Sequence, residues 1–239
     1  MSLSFAGVSS DSVNVVVERY PARPIPARKI QTQEIPGRNG DLLFDENAYT
    51  NVDQAYEIYV RHTLGSNYQQ SCIKAAEWLL TPVGYQRLTD SYDPSVFRLA
   101  YFSGPVDVSN ALNQLGRTTI TFSCKPFRYL VAGADAVTIM GATTLTNPTG
   151  IPAAPTIIVY GSGAGTIGIG DYTVAISDID NGMTIDCDLM DCYNGGNNRC
   201  NLLTLSPTYQ YPQLVSGNNS ITIGGGVTSL SLTPNWRTL

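Results

Sequence analysis

The sequence predicts a mainly β chain: an N-terminal α+β domain, an antiparallel sheet carrying one helix, followed by a β-sandwich or jelly roll. Three observations predict it. Charged residues make up only 14% of the 239 positions, against about 25% in typical soluble domains. Gly, Ser, Thr, Asn and Tyr take their place and favour short strands and turns over helices. The first half holds one stripe of helical period, and the second half holds short apolar runs at close, even spacing.

In chain order, "SVNVVVERY" (residues 12–20) and "RKIQTQEI" (residues 28–35) are β-branched runs of strand length. "PGRNGDLLF" (residues 36–44) follows, and its Asn39-Gly40 pair is a type I′ hairpin signal, because that turn needs two residues at positive φ. "AYEIYVRHTL" (residues 55–64) continues as a strand. "SNYQQSCIKAAEWLLTP" (residues 66–82) is the one helix, with Ser66 as N-cap and Pro82 as stop. Its stripe of Tyr68, Cys72, Ala76 and Leu79, widened by Ile73 and Leu80, is expected to pack on the sheet. "VFRLAYF" and "RTTITFSCKPFRYL" return to strand.

Residues 133–150, within a low-charge stretch that begins at Val131, read as a junction between domains 1–132 and 151–239. Seven runs follow: "APTIIVYG", "GTIGIGD", "YTVAISD", "MTIDCDL", "CNLLTLS", "NSITIGG" and "VTSLSLTP". Seven strands divided by Gly, Asn, Asp and Pro suit a sandwich.

Charge narrows the function. Up to Leu130 there are 12 basic and 12 acidic residues, whereas from Val131 onward two arginines face seven aspartates. No basic stripe exists to neutralise phosphates, so nucleic-acid recognition is not expected. No run of 18 apolar residues, basic amphipathic helix or lipidation signal points to membrane insertion. The first twenty residues lack the basic stretch and apolar core of a signal peptide, so folding in a reducing cytoplasm, with the five cysteines unpaired, is the expectation.

Four motifs carry potential chemistry. Gly163, Gly165 and Gly168 match G-x-G-x-x-G, but a dinucleotide fingerprint must open a helix and the following "IGIGDYTVAI" is strand-like. "DIDNG" (residues 178–182) lacks the sixth-position glycine and twelfth-position glutamate of an EF-hand. A second type I′ hairpin at Asn181-Gly182 is the simpler reading, with a surface calcium ion as the alternative. "DCDLMDCYNGGNNRC" (residues 186–200) crowds three aspartates with Cys187, Cys192 and Cys200, at spacings of five and eight rather than those of zinc sites. Period-two alternation puts Asp186 and Cys187 on opposite sheet faces. A bend is expected near Met190, a turn at "NGGNN" and a return strand from Cys200, with Cys187 buried and reduced. His62 is the sole histidine, so any Ser-His or Cys-His dyad would have to be built on it, and no G-x-S-x-G elbow accompanies it. Neither a cofactor nor catalysis is expected.

"LSFAGVSSDSVNVVVERYP", "IPGRNGDLLF" with "YTNV", "AAEWLLTPVGYQRLTDSYDPSVFRLAYF" and "TTITFSCKPFRYL" resemble the N-terminal half of phage distal tail proteins. "NPTGIPAAPTIIVYGSGAG", "MTIDCDLMDCY" and "YPQLVSGNNSITIGGGVTSLSLTPNWRTL" continue the resemblance in order through the second half, and it breaks at "YNGGNNRC". The resemblance implies a structural virion protein, made in the host cytoplasm. Its homo-hexameric ring would sit at the tip of a long non-contractile tail. The N-terminal domains would close the ring and stack on the major tail-tube protein, with a tail fibre or lysin-type hub protein on the other side. Galectin-like C-terminal domains would hold receptor-binding or accessory baseplate proteins. The hairpin of Arg38, Asn39, Gly40, Leu42 and Phe44 is the candidate inter-subunit contact. The rival reading is a carbohydrate-binding module that takes host-wall glycans through the C-terminal sandwich.

Overall fold

The computed structural model describes residues 1–61, 68–104, 109–111 and 115–239. The chain divides into two compact units, Met1–Arg128 with Leu239 and Tyr129–Thr238.

The first unit opens with β1 (Leu3–Phe5) and β2 (Val8–Ser9), then a 3-10 turn over Ser10–Val13. Residues 12–20 are therefore not one strand. Asn14 is left-handed at φ 59 and ends the turn, and only β3 (Val15–Val17) is extended. Ser9 accounts for the turn: its hydroxyl accepts the Asp11 N–H at 3.4 Å, the local side-chain bond with which serine competes against strand. Next come β4 (Arg28–Gln33), β5 (Leu42–Tyr49), β6 (Val52–Arg61) and α1 (Tyr68–Leu80). They are followed by β7 (Gln86–Asp90), β8 (Val96–Tyr101), β9 (Ser109–Ala111) and β10 (Leu115–Leu130). The main sheet runs β2-β1-β7-β8-β10-β6-β3, with β9 on β10.

β6 alternates strictly, burying Val52, Gln54, Tyr56, Ile58 and Val60 while Asp53, Ala55 and Arg61 face outward. α1 answers with Ala75, Trp78 and Leu79. The expected stripe is thus rotated, because Ile73 and Leu80 are 56% and 57% exposed. The large Trp78 ring sets the rotation. It packs edge-on against Phe5 with centroids 6.4 Å apart, and its indole N–H donates to the Phe5 carbonyl at 3.2 Å. Ser66 and His62 lie outside the described residues.

The second unit contains β11 (Val137–Ile139), β12 (Thr143–Asn147), β13 (Thr156–Ile169), β14 (Tyr172–Ile176) and β15 (Met183–Asp186). It continues with β16 (Asp191–Asn194), β17 (Asn197–Asn198), β18 (Leu203–Ser206) and β19 (Gly217–Thr233). β11 and β12 both pair with β19, so the stretch from Val131 read as a junction carries strands of this unit. Two pairs of expected strands are also fused: "APTIIVYG" with "GTIGIGD" into β13, and "NSITIGG" with "VTSLSLTP" into β19.

β13 and β19 pair along most of their lengths, with register breaks around Gly161 and Gly165. Before the break β13 also pairs with β15, and after it with β14. Ile157 and Val159 from one half, and Ile167 and Ile169 from the other, enter a single core with Val174, Ile185, Leu230 and Leu232. Burying each such side chain stabilises the fold by about 1.5–3 kcal/mol. Backbones nearly touch at the break: a Cβ on Gly226 would lie 1.8 Å from the Ser162 carbonyl oxygen, and one on Gly161 would lie 2.1 Å from that of Gly226. Only glycine permits that approach.

Gly226→Ala is expected to destabilise by about 2–3 kcal/mol or more through the resulting overpacking. Gly150→Ala, with nothing within 4 Å of the added carbon, is the neutral control. Denaturant midpoints of the two variants check this.

Candidate functional site

β4 and β5 form a two-stranded sheet of their own. Every β4 residue is exposed, as are most of β5. Gln33 faces Leu42, Thr32 faces Leu43, Gln31 faces Phe44 and Ile30 faces Asp45. Directly opposed residues share a face, so Leu42 and Phe44 lie with Gln31 and Gln33 on one side. Leu43 and Ile30 lie with Thr32 and Asp45 on the other. Leu43 is 64% exposed and Phe44 50%.

Arg38, Asn39 and Gly40 sit at the exposed end of this arm, and Leu42 and Phe44 at the start of β5. The turn is not the type I′ hairpin expected at Asn39-Gly40, since Gly40 has φ 82 but Asn39 is not at positive φ. The reversal is instead made by Pro36-Gly37: the Arg38 N–H donates to the Ile35 carbonyl at 3.1 Å, with Gly37 at φ 80. Proline second and a positive-φ glycine third are the type II pattern. A bulge between Arg28 and Ile30, with Asn47 at φ 52, bends the arm. At the base, the Thr50 N–H donates to the Ala27 carbonyl at 2.9 Å and Tyr49 packs edge-on against Phe127. Sequence reasoning missed Ile30 and Leu43 as apolar arm residues. Their signal was the apolar members of two alternating runs, ambiguous without knowing that both faces are solvent-exposed.

The other motifs are structural. Gly163, Gly165 and Gly168 lie within β13 and open no helix. Asn181-Gly182 is a turn in which only Gly182 has positive φ, at 85, and Met183 N–H donates to Asp180 carbonyl at 2.8 Å. It makes no hairpin, because β14 and β15 pair with different parts of β13. The loop instead straps the bend in β13: Asn181 Oδ1 accepts the Gly161 N–H at 3.1 Å and the Ile179 N–H donates to the Gly163 carbonyl at 2.8 Å. Asp180 pairs with Arg199 at 2.7 Å.

In "DCDLMDCYNGGNNRC" the alternation holds as far as Cys187: Met183, Ile185 and Cys187 are buried and Thr184 and Asp186 half-buried. It stops before Leu189, expected on the apolar face and 64% exposed, because β15 ends at Asp186. The three aspartates go to different partners. Asp186 Oδ1 accepts the N–H groups of Asp188 and Leu189, both at 3.0 Å, and shapes the turn in which Met190 takes φ 54. Asp188 pairs with Arg237 at 3.3 Å, and Asp191 Oδ1 accepts the Cys200 thiol at 3.2 Å. Gly195 and Gly196, at φ 54 and 87, make the β16–β17 turn, the type I′ geometry. Cys200 then begins a 3-10 turn rather than a return strand, and β18 pairs with β14. Among the described residues no group of three or more His, Cys, Asp or Glu side chains could hold a metal ion.

All five cysteines are free. Burial, the largest influence on each, pushes the Cys124 and Cys192 thiols up to about 12 and Cys187 higher still. Thiol-labelling reagent at pH 8 is therefore expected to leave these three unmodified until the chain unfolds. Their raised values also set a pH dependence. Unfolded thiols ionise near 9, so the stability they contribute is whole below that pH and is lost as pH rises towards 12. Denaturant midpoints at pH 8, 10 and 11 should fall in that order. A flat series would contradict protonated, buried thiols.

No protein-family model matches the chain, and no curated protein matches it. Among solved structures it is similar to the Dit protein (gp 19.1) of phage SPP1, a paradigm of the hub adsorption apparatus in phages that infect Gram-positive bacteria. The TM-score is 0.69 at 13% identity, covering 100% of this chain and 99% of that one. A looser likeness, TM-score 0.48 at 12% identity over 92% and 90% of the two chains, is to the phage p2 baseplate in its activated conformation with Sr. The first likeness, which runs end to end, shows that this chain has the fold of the SPP1 Dit protein.

Proposed function

We propose that the chain is a structural subunit of a phage tail tip. Six copies close a ring at the distal end of the tail tube, as a hub for host adsorption. The ring joins the major tail-tube protein, a tail fibre or tail-associated lysin protein, and receptor-binding or accessory baseplate proteins. The galectin-like second unit serves as the outward attachment module, and the role is not catalytic. The end-to-end likeness of fold to a hub protein carries this reading.

The β4–β5 arm supplies the physical reason for assembly. A lone two-stranded hairpin is marginal in water, and this one exposes Ile30, Leu43 and Phe44. Among the described residues each arm strand has one partner, leaving an outer edge of N–H and C=O groups for a neighbour. An arm from each subunit reaching the next is a head-to-tail contact, which closes a ring when the rotation allows. The neutral balance of residues 1–130 limits self-repulsion in such a ring.

A second reading has one observation in its favour. The second unit holds an open cleft of about 500 Å³ whose lining includes Asp171, Tyr172, Gln210, Gln213, Asn218 and Ser220. A tyrosine ring among amides and a carboxylate suits a host-wall sugar.

Replacing residues 29–48 by a short Gly-Ser linker, or Leu43 and Phe44 together by Asp, is expected to convert rings to monomers. Sedimentation velocity at concentrations where the parent chain assembles reads this out, and intact hexamers of both variants would remove the arm from the seam. For the second reading, full-length chain on a cell-wall glycan array should bind, and Tyr172→Ala should lose that binding at least tenfold. A blank array eliminates the sugar reading.

A further inference from the structure

Arg98, in β8, is 8% exposed and is the one buried cationic side chain of the core among the described residues. Its neighbour across the strand pair is Leu88. Buried arginines ordinarily have an ion-pair partner, because an unpaired charge inside a protein is costly and a guanidinium does not shed its proton. The Arg98 side chain makes no hydrogen bond to a described residue and has no carboxylate within 4.0 Å among them. Burial, the largest influence on it, pulls its guanidinium below the usual range, and the nearby charge of Arg128 acts in the same direction.

The acidic groups nearest to hand are engaged elsewhere. Asp90 Oδ2 accepts the Tyr56 hydroxyl at 3.0 Å, and its Oδ1 accepts the N–H groups of Tyr92 and Asp93, both at 3.0 Å. Asp93 pairs with Arg23 at 3.3 Å and accepts the Ser95 hydroxyl at 2.7 Å. What Arg98 does line is a cavity of about 30 Å³, with Gln54, Tyr56, Asp90, Arg23 and Arg128 among its other walls. That volume exceeds the space one water needs, about 10–15 Å³, and suits a group of two or three heavy atoms. The walls bring three guanidiniums, Arg23, Arg98 and Arg128, against the carboxylates of Asp90 and Asp93. Arg23 is held over the Tyr92 ring at 4.8 Å, and Arg128 donates to a carboxylate oxygen of the last residue, Leu239, at 2.6 Å, so both cations are fixed at the site with their charges already matched.

We propose that this pocket of the first unit is a carboxylate-binding site, in which Arg98 takes the two carboxylate oxygens and its own unmatched charge favours an anion over a neutral guest. A planar guanidinium fork matches a carboxylate in a two-bond arrangement. The ligand is either a free small carboxylate or the acidic side chain of a second copy of the chain. The proposal stands on the pocket alone and is independent of the tail-tip reading.

Acetate is the probe. At constant ionic strength, raising acetate from 1 to 100 mM should raise the thermal midpoint of the full chain by about 4 °C, as a ligand bound only by the folded form does. Arg98→Met should show no such rise. That variant fills the site with an apolar chain of similar length, a replacement that buried ion sites commonly tolerate. Should Arg98→Met fail to fold, the Arg98 Nε–Hε resonance of the unaltered chain decides: a saturable shift with acetate supports the site. An acetate response equal in the chain and in Arg98→Met overturns the proposal, as does an Nε–Hε resonance unmoved at 100 mM. Acetate that binds and also weakens self-association assigns the natural ligand to a second copy. Acetate that binds and leaves association unchanged assigns it to a free carboxylate.

Discussion

The second unit depends on one close backbone approach. β13 and β19 are long strands, and each serves partners at both of its ends. Strands of 14 and 17 residues that stayed straight could not return both ends to one core. They bend where Gly161, Gly225 and Gly226 let the two chains come nearer than any Cβ allows. The three residues after Gly161 bulge out, and the Asp178–Gly182 loop holds them there through Asn181 and Ile179. Every layer of the core, from Ile157 to Ile169, follows from that bend.

The first unit solves a different problem. Its sheet closes on α1 through the Phe5, Trp78 and Phe122 rings, and leaves the β4–β5 arm outside that core. The arm is anchored by the Ala27–Thr50 hydrogen bond and by Tyr49 on Phe127, so its base is held although both its faces are wet. The hairpin's exposed apolar side chains and unpaired outer strand edges are the features that a pairing partner could cover.

Much of this was legible in the residues, and the failures have physical causes. The strict alternation of β6 and the split of Asp186 from Cys187 follow from a period of two and held in the structure. The glycines at 195 and 196 marked a turn for the same local reason. Asn39-Gly40 and Asn181-Gly182 were read as hairpin turns because the dipeptide permits two positive φ values, yet permission is not demand. Pro36-Gly37 reverses the chain first, and at Asn181-Gly182 the flanking strands never pair with each other. The helix stripe was read as Tyr68, Cys72, Ala76 and Leu79, widened by Ile73 and Leu80. A wide ring at Trp78 outweighs two aliphatic chains in choosing which face is buried. The glycines of β13 and β19 looked like strand ends and divided two strands into four, because a glycine that ends a strand and one that bends it are locally alike.

Alone, the sequence determined the class of the chain. Scarce charge, β-branched runs and a single helical stripe follow from composition and local period, which act over a few residues. It also placed the polar and apolar faces of β6 and β15. Only the tertiary structure decided which strands are continuous, which strand neighbours which, and that Arg98 is buried beside carboxylates already committed to other donors. These are outcomes of contacts between residues far apart in the chain, such as Gly161 with Gly226 and Tyr56 with Asp90. Their energies depend on distances that no local pattern encodes.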